Sequence, residues 1–115
     1  MIVYKIFEKV DDNQYRNLFH SRKNILECGC TCIAVKKMVY ESYLKNGDKK
    51  LYMSGIHVID DLDLCKKYLK RFKNQNNKII VQCVAYNTQP KPDGREGVLL
   101  ADEICLIKEI EYAKI

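Results

Sequence analysis

Three stretches of the chain show the apolar patterns expected of strands. From Ile2 to Val10, side chains alternate between two faces, Ile2, Tyr4 and Ile6 on one and Val3, Lys5 and Phe7 on the other. Residues 78–86 are apolar at consecutive positions, which is typical of a central strand covered on both faces. Residues 98–110 are apolar again, and residues 104–107 within them suit a buried strand, although the spacing of Leu100, Ile104, Ile107 and Ile110 fits a helix as well. Between these last two stretches, the segment 89–97 contains two prolines and two glycines and predicts an exposed loop.

The clearest helix signal follows Asp60 and Asp61, either of which can cap a first turn. Apolar residues then recur at spacings of three and four, which places them on one stripe of a helix. Acidic residues come first and basic residues last, in keeping with the helix dipole. The pattern predicts an amphipathic helix over about residues 60–74. Its apolar stripe consists of Leu62, Leu64, Cys65, Tyr68, Leu69 and Phe72.

The stretch from residue 25 to residue 54 fits two structures. In the first, strands at 25–35 and 38–45 lead into a turn at Asn46-Gly47, and the chain returns along 49–54. Asn-Gly between apolar runs is a strong hairpin signal because both residues tolerate a positive φ. In the second, Thr31 caps a helix over residues 32–44, with Gly47 just beyond its end. We favour the hairpin.

These elements predict a single α+β domain over residues 1–115, with a mostly antiparallel sheet and the one amphipathic helix packed on it. A chain of 115 residues that is 47% hydrophobic can bury one core. No apolar run approaches the roughly 18 residues of a membrane span, and the first residues lack the pattern of a secretion signal. We therefore expect a cytoplasmic protein without membrane contact, in which the six cysteines are reduced thiols.

The charge is concentrated on the helix. The net charge is +5, a mild excess that favours acidic partners. Lys66, Lys70 and Lys73 fall along one edge of the predicted helix, and Lys67 and Arg71 fall along the other. Such a cationic face can contact phosphates or acidic side chains, or can simply be solvated. We predict that these five residues form a binding face.

The loop at 89–97 supplies a second candidate binding element. It is longer than a hairpin requires, and long loops with charged tips are common recognition elements. Lys91 and Arg95 are its cations, and Arg95 is the obvious anchor. Simple exposure to solvent is the alternative interpretation.

His57 lies where a short strand leads into the helix. It alternates out of its apolar neighbours Ile56 and Val58, so its imidazole should lie on one face of the strand. With Asp60 or Asp61 it could form an acid–base pair. The alternative is a histidine that donates a hydrogen bond to the backbone or to a capping aspartate, and we favour this structural role while keeping His57 as a candidate binding residue.

Cys28, Cys30 and Cys32 resemble a metal motif, because thiolates are the preferred ligands of structural zinc. In an extended segment, however, alternate residues lie roughly 6.6 Å apart, too far for their sulfurs to share one tetrahedral ion without a turn or bulge. A bulge at Gly29 could bring them together. We favour three small thiols lining a core face, with no metal or other cofactor.

The residues from Tyr52 to Phe72 carry one resemblance to a known group of proteins. Tyr-Met-Ser-Gly-Ile-His-Val-Ile followed by Asp-Asp-Leu-Asp-Leu-Cys-Lys-Lys-Tyr resembles the Gly-(aromatic or aliphatic)-His junction of small uncharacterised α+β domains from phages and mobile elements. The resemblance implies a β-rich core, one helix after the junction and a returning strand, here residues 78–86. It carries no activity, and it implies a viral or mobile-element accessory protein.

The functional expectation is a small non-enzymatic protein that acts by binding. GxSxG, P-loop, HExxH and GxGxxG motifs do not occur in the sequence. We expect a regulatory or inhibitory protein that docks onto a host protein or ribonucleoprotein, with nucleic acid as a further possible partner of the basic helix. An anti-defence protein, such as an inhibitor of a CRISPR nuclease, fits this description. The alternatives are an enzyme that uses His57 with Asp60 or Asp61, and a zinc module that uses the three clustered cysteines.

Overall fold

Antiparallel strands dominate the structure. The computed structural model describes residues 1–18, 23–34, 38–41, 50–91 and 96–111, and for 38–41 and 50–52 only the backbone. The strands in this part of the chain are β1 (Ile2–Asp11), β2 (Gln14–Arg16), β3 (Thr31–Ile33), β4 (Met38–Glu41), β5 (Lys50–Met53), β6 (Ile56–Ile59), β7 (Lys78–Pro90) and β8 (Val98–Ile110), and the helix is α1 (Leu62–Lys70).

Four of the strands close into a barrel. β1 pairs with both β6 and β7, and β8 pairs with the same two strands, so the ring runs from β1 through β6, β8 and β7 back to β1. β7 and β8 have 13 residues each and form one long hairpin. β2 extends the barrel beside β1, and β3 extends it beside β8. β4 and β5 pair with each other in a separate two-stranded sheet.

Alternation along β1 places its side chains in two different environments. Val3 and Phe7 are fully buried inside the barrel, opposite Cys83 and Ile79 of β7. Tyr4 and Ile6 point outward and pack beneath α1. The two faces of β1 predicted from the sequence are therefore confirmed, and both contribute to apolar packing.

The barrel closes through a narrow seam between β1 and β6. The ladder there contains a single residue pair, Tyr4 with Ile59. Lys5 follows Tyr4, and its Nζ donates a hydrogen bond to the carbonyl oxygen of His57 at 3.0 Å. This hydrogen bond continues the contact between the two strands where the ladder ends. Desolvation lowers the pKa of Lys5 from its ordinary value, and the thiols of Cys83, Cys32 and Cys65 offset this only in part.

α1 covers part of the outer surface of the barrel. Asp61 caps its first turn by accepting a hydrogen bond from the backbone N–H of Leu64 at 2.9 Å. Cys65 and Leu69 are buried against Ile80 of β7. The helix ends at Lys70, where the N–H of Arg71 turns to the carbonyl of Tyr68 at 3.1 Å.

The predicted fold class is wrong. The protein is mostly β, a closed four-stranded barrel with one short helix, and not an α+β domain with a helix over 60–74. The local patterns identified strands, but closure depends on how far the strands bend. The β7–β8 ladder shifts register between Gln82 and Cys83, and Asn87 has a φ of 54°. Such irregularities bend long strands and bring β1 and β6 together.

Other predictions have mixed outcomes. Strands at 2–10, 56–59 and 78–86 are confirmed. The strand at 104–107 is confirmed as part of the longer β8, so the helix alternative for 98–110 is wrong. The hairpin is confirmed over a helix at 32–44 by the pairing of β4 with β5, while the turn at Asn46-Gly47 lies outside the described residues. The loop predicted at 89–97 is shorter, because β7 continues to Pro90. Tyr15 and Arg16 belong to β2, a strand that the sequence analysis did not predict.

Gly97 should be much less replaceable than Gly29. Both have a positive φ, but a Cβ at Gly97 would collide with Leu64 of α1, whereas a Cβ at Gly29 would have no atom within 4 Å. We expect Gly29→Ala to lose roughly 1 kcal/mol of stability through backbone strain, and Gly97→Ala to lose about 1 kcal/mol or more in addition through the collision. Urea unfolding measures both. Equal losses would show that Leu64 moves aside freely.

Lys5→Met should change how stability depends on pH. The folded protein holds the Lys5 proton less tightly than the unfolded chain, for which the pKa is near 10.5. As the pH rises through the folded pKa towards this value, the unfolded chain binds more protons, so the parent gains stability. We expect the free energy of unfolding of the parent, relative to Lys5→Met, to increase as the pH rises through the lowered pKa of Lys5 towards 10.5. A difference that does not vary with pH would contradict the desolvation of Lys5.

Candidate binding face on the helix

α1 presents its cations away from the barrel. Because Cys65 and Leu69 face the barrel, the side chains on the opposite side of the helix point to solvent. Lys67, Lys70 and Arg71 are exposed, and so is Lys73, which follows the helix. We call these four residues the basic face.

Lys66 differs from the other predicted cations. Its side chain is half-buried, and it takes part in an interaction within the chain. In the described part of the protein, no carboxylate pairs with Lys67, Lys70 or Lys73. The sequence predicted that five residues of the helix region form a binding face. The structure exposes four of them together, and Lys66 lies at the border of these four.

Two cations lie over the faces of aromatic rings beside the basic face. The guanidinium of Arg71 lies 4.8 Å from the centre of the Tyr68 ring. The Nζ of Lys78 lies 5.3 Å from the centre of the Phe72 ring. Each arrangement is a cation–π contact, which holds the charge in place and covers one face of the ring.

Hydrogen bonds anchor this region to the rest of the fold. The hydroxyl of Tyr68 donates to the carbonyl of Glu96, just before β8, at 3.2 Å. The Nζ of Lys78 donates to the carbonyl of Asn74 at 2.6 Å, and the side-chain amide of Gln75 donates to the carbonyl of Lys70 at 3.2 Å. The end of the helix is thus tied to both long strands of the barrel.

An open cleft adjoins the end of the helix. Its volume is about 550 Å³. Its lining is mostly polar, which differs from the largely apolar walls of typical small-molecule sites. Its lining residues are Glu8, Leu18, Phe72, Asn74, Asn76, Asn77 and Lys78.

His57 lies on the exposed side of β6, opposite Leu100 of β8. Its backbone carbonyl accepts the hydrogen bond from Lys5, and the residue takes part in a further interaction within the chain. Asp61 uses its carboxylate to cap α1, and the N–H of Asp60 donates to the carbonyl of Gly97 at 3.3 Å. The junction residues therefore have structural roles that connect the barrel, the helix and the β7–β8 hairpin.

The loop cations do not join the basic face. Lys91 is buried, and its N–H donates to the carbonyl of Val98 at 3.1 Å, which closes the β7–β8 hairpin. The interpretation of Lys91 as an exposed recognition residue is therefore wrong, because the strands extend further into the predicted loop than its composition indicated. Arg95 lies outside the described residues.

The clustered cysteines line the core. Cys28, Cys30 and Cys32 are half-buried and pack against the main apolar cluster, and Cys32 lies opposite Ile104 on β8. Burial is the main cause that raises the pKa of Cys32 to about 11 and the pKa values of Cys65 and Cys83 to about 12. The thiols of Cys32, Cys65 and Cys83 therefore stay protonated at neutral pH. Among the described residues, no group of three or more potential ligands could hold a metal ion.

Sequence reasoning missed a polar network at one end of the barrel. Glu109 of β8 accepts a hydrogen bond from the hydroxyl of Tyr15 at 3.1 Å and forms an ion pair with Lys9 at 2.9 Å. Tyr15 is 2% exposed, so its hydroxyl needs this partner. Desolvation, followed by the hydrogen bond and charge of Glu109, raises the pKa of Tyr15 above its usual value. The residues are 94 apart in sequence, and no local pattern could have joined them.

Comparison of the chain with protein-family models, curated proteins and solved structures finds no match. The resemblance to phage and mobile-element domains therefore remains a prediction. The described helix is too short to cross a membrane.

Tyr15→Phe should destabilise the fold by about 1.5 kcal/mol, because it removes a hydrogen bond to a charged acceptor in a mostly buried site. Tyr86→Phe is the matched control, since Tyr86 is 48% exposed. Thermal and urea unfolding of both variants provide the measurement. A loss no larger for Tyr15→Phe than for the control would mean that the network does not stabilise the barrel.

Proposed function

We propose that the protein acts by binding, and that the basic face docks onto an acidic surface of a host protein or ribonucleoprotein. The observation that carries the proposal is a rigid row of exposed cations without carboxylate partners in the described part of the chain. Docking there would give the protein a regulatory or inhibitory role.

The rigidity of the basic face supports this function. Cys65 and Leu69 fix the helix on the barrel, the Asp61 cap fixes its start, and the stacking of Arg71 on Tyr68 fixes one of its charges. A surface that is ordered before binding loses less conformational entropy when a partner docks. Opposite charges on the partner would then increase the rate of association and select the orientation of docking.

The covered aromatic rings favour an acidic protein surface over single-stranded nucleic acid. Proteins that read single strands stack bases on exposed aromatic rings. Here, Arg71 lies over Tyr68 and Lys78 lies over Phe72. A base would have to displace one of these cations or use the other face of the ring. Carboxylates of a partner need no such rearrangement.

The test is a charge reversal on the basic face. We expect each single variant, Lys67→Glu, Lys70→Glu or Lys73→Glu, to weaken binding several-fold, and the triple variant to abolish it. The reason is that every reversal replaces an attraction by a repulsion. Lys23→Glu is the control for each single reversal, since Lys23 is exposed on another part of the chain and its change in net charge equals that of each single variant. The immobilised protein is used to capture partners from a lysate of its native host, with and without nuclease, and the affinity for the recovered partner is then measured for all variants.

The outcomes separate the candidate partners. A partner that survives nuclease and binds Lys23→Glu normally but the single variants of the basic face poorly would support docking on an acidic protein surface. Loss of capture after nuclease, together with salt-sensitive binding of the purified protein to a duplex or single-stranded oligonucleotide, would replace that proposal by direct nucleic-acid binding. Equal capture by all variants would exclude the basic face.

A further inference from the structure

The outer surface of the barrel has a second part beyond the helix. α1 and Phe72 cover one end of this surface, where Tyr4, Ile6, Ile80 and Ile110 are packed. Further along the same strands, outward-facing apolar side chains are exposed. Large exposed apolar patches on soluble proteins commonly mark sites of association.

Strand register shows that these exposed residues are contiguous. Ile2 of β1, Val84 of β7, Cys105 of β8 and Thr31 of β3 lie side by side in one row across four strands. The next row contains Tyr86, Glu103 and Ile33. On the other side of the first row, Ile107 and Lys108 lie beside the register shift of the β7–β8 ladder.

Exposure distinguishes this surface from the covered end. Ile33 is 75% exposed, Tyr86 48%, Ile2 45% and Ile107 40%, while Val84 and Cys105 are half-buried between them. We call these six residues the open face. Leu106 and Ile104, which alternate with Cys105 along β8, are almost completely buried inside the barrel, so the open face is the outer surface of a fully formed strand.

The charges at the two ends of the open face have opposite sign. Glu103 lies one alternation before Cys105 on β8, and Lys108 lies just beyond Ile107 on the other side of Cys105. The face is therefore acidic at one end, apolar in the middle and basic at the other end. Such a surface complements itself when one copy is turned over onto another.

We propose that the open face is the interface of a symmetric dimer, and that its partner is a second copy of this chain. The two-fold axis runs along the row from Ile2 through Val84 and Cys105. Rotation about this axis reverses the strand direction, so Glu103 of each protomer faces Lys108 of the other. The two sheets then pack face to face with aligned strands, as in β-sandwiches, and the interface uses the same patch on both protomers.

The dimer leaves the helices free. α1 lies beyond the open face on the same side of the β1–β7–β8 sheet, so the axis places one helix at each end of the assembly. The dimer does not depend on the proposed function, and its test measures association of the protein with itself.

The first test is a charge exchange across the axis, read by sedimentation velocity over a range of concentrations. Glu103→Lys and Lys108→Glu should each weaken dimerisation by roughly tenfold or more, because each brings like charges together. The double variant Glu103→Lys/Lys108→Glu should restore the affinity of the parent, since it re-forms the pair with its signs exchanged. A parent that stays monomeric at every concentration, or a double variant no better than the single ones, would overturn the proposal. Circular dichroism and thermal unfolding verify that each variant is folded.

The second test uses the apolar residues and the central cysteine. Ile33→Asp should weaken the dimer, whereas Ile25→Asp, at an isoleucine that is 41% exposed outside the open face, should not. A short bis-maleimide should link two protomers through Cys105, which faces its own copy across the axis, and Cys105→Ser should remove this product while Cys28→Ser retains it. Cross-linking that survives Cys105→Ser, or equal effects of the two aspartate variants, would contradict this arrangement.

Discussion

Closure of the barrel between β1 and β6 is the constraint on which the other features depend. The seam has a single ladder pair, Tyr4 with Ile59, and the hydrogen bond from Lys5 to the carbonyl of His57 extends it. Closure puts Val3 and Phe7 in a sealed interior and leaves the opposite side of β1 to support the helix. A charged amine thus stabilises a place where backbone pairing alone is sparse, at the expense of its own desolvation.

The closed barrel also determines how the surface is divided. α1 packs on one end of the outer face through Cys65 and Leu69, and this contact turns its lysines towards solvent. The other end stays open and carries apolar side chains between a glutamate and a lysine. The proposed partner-binding face and the proposed dimer interface therefore belong to one continuous outer surface, and they differ in chemistry because only one end has a helix over it.

Most residues that the sequence indicated as candidates for an active or metal site have structural roles in the fold. Asp61 caps α1, the backbone of His57 closes the seam and Lys91 closes the β7–β8 hairpin. The thiols of Cys28, Cys30 and Cys32 pack against the core. Each of these residue types is common in active or metal sites, and each here has a partner or a packing role inside the described structure. The cations of the basic face stand apart because the fold leaves them exposed.

The sequence by itself determined the elements whose signal is local. Four local patterns predicted their strands and helix, because each pattern repeats with the period of one element. These patterns are the alternation of residues 2–10, the apolar runs at 78–86 and 98–110, and the apolar stripe after Asp61. Only the tertiary structure decided that the strands close into a barrel, that Lys5 bonds across the seam and that Tyr15 meets Glu109. These outcomes depend on strand bending and on contacts between residues far apart in the chain, which no local period encodes.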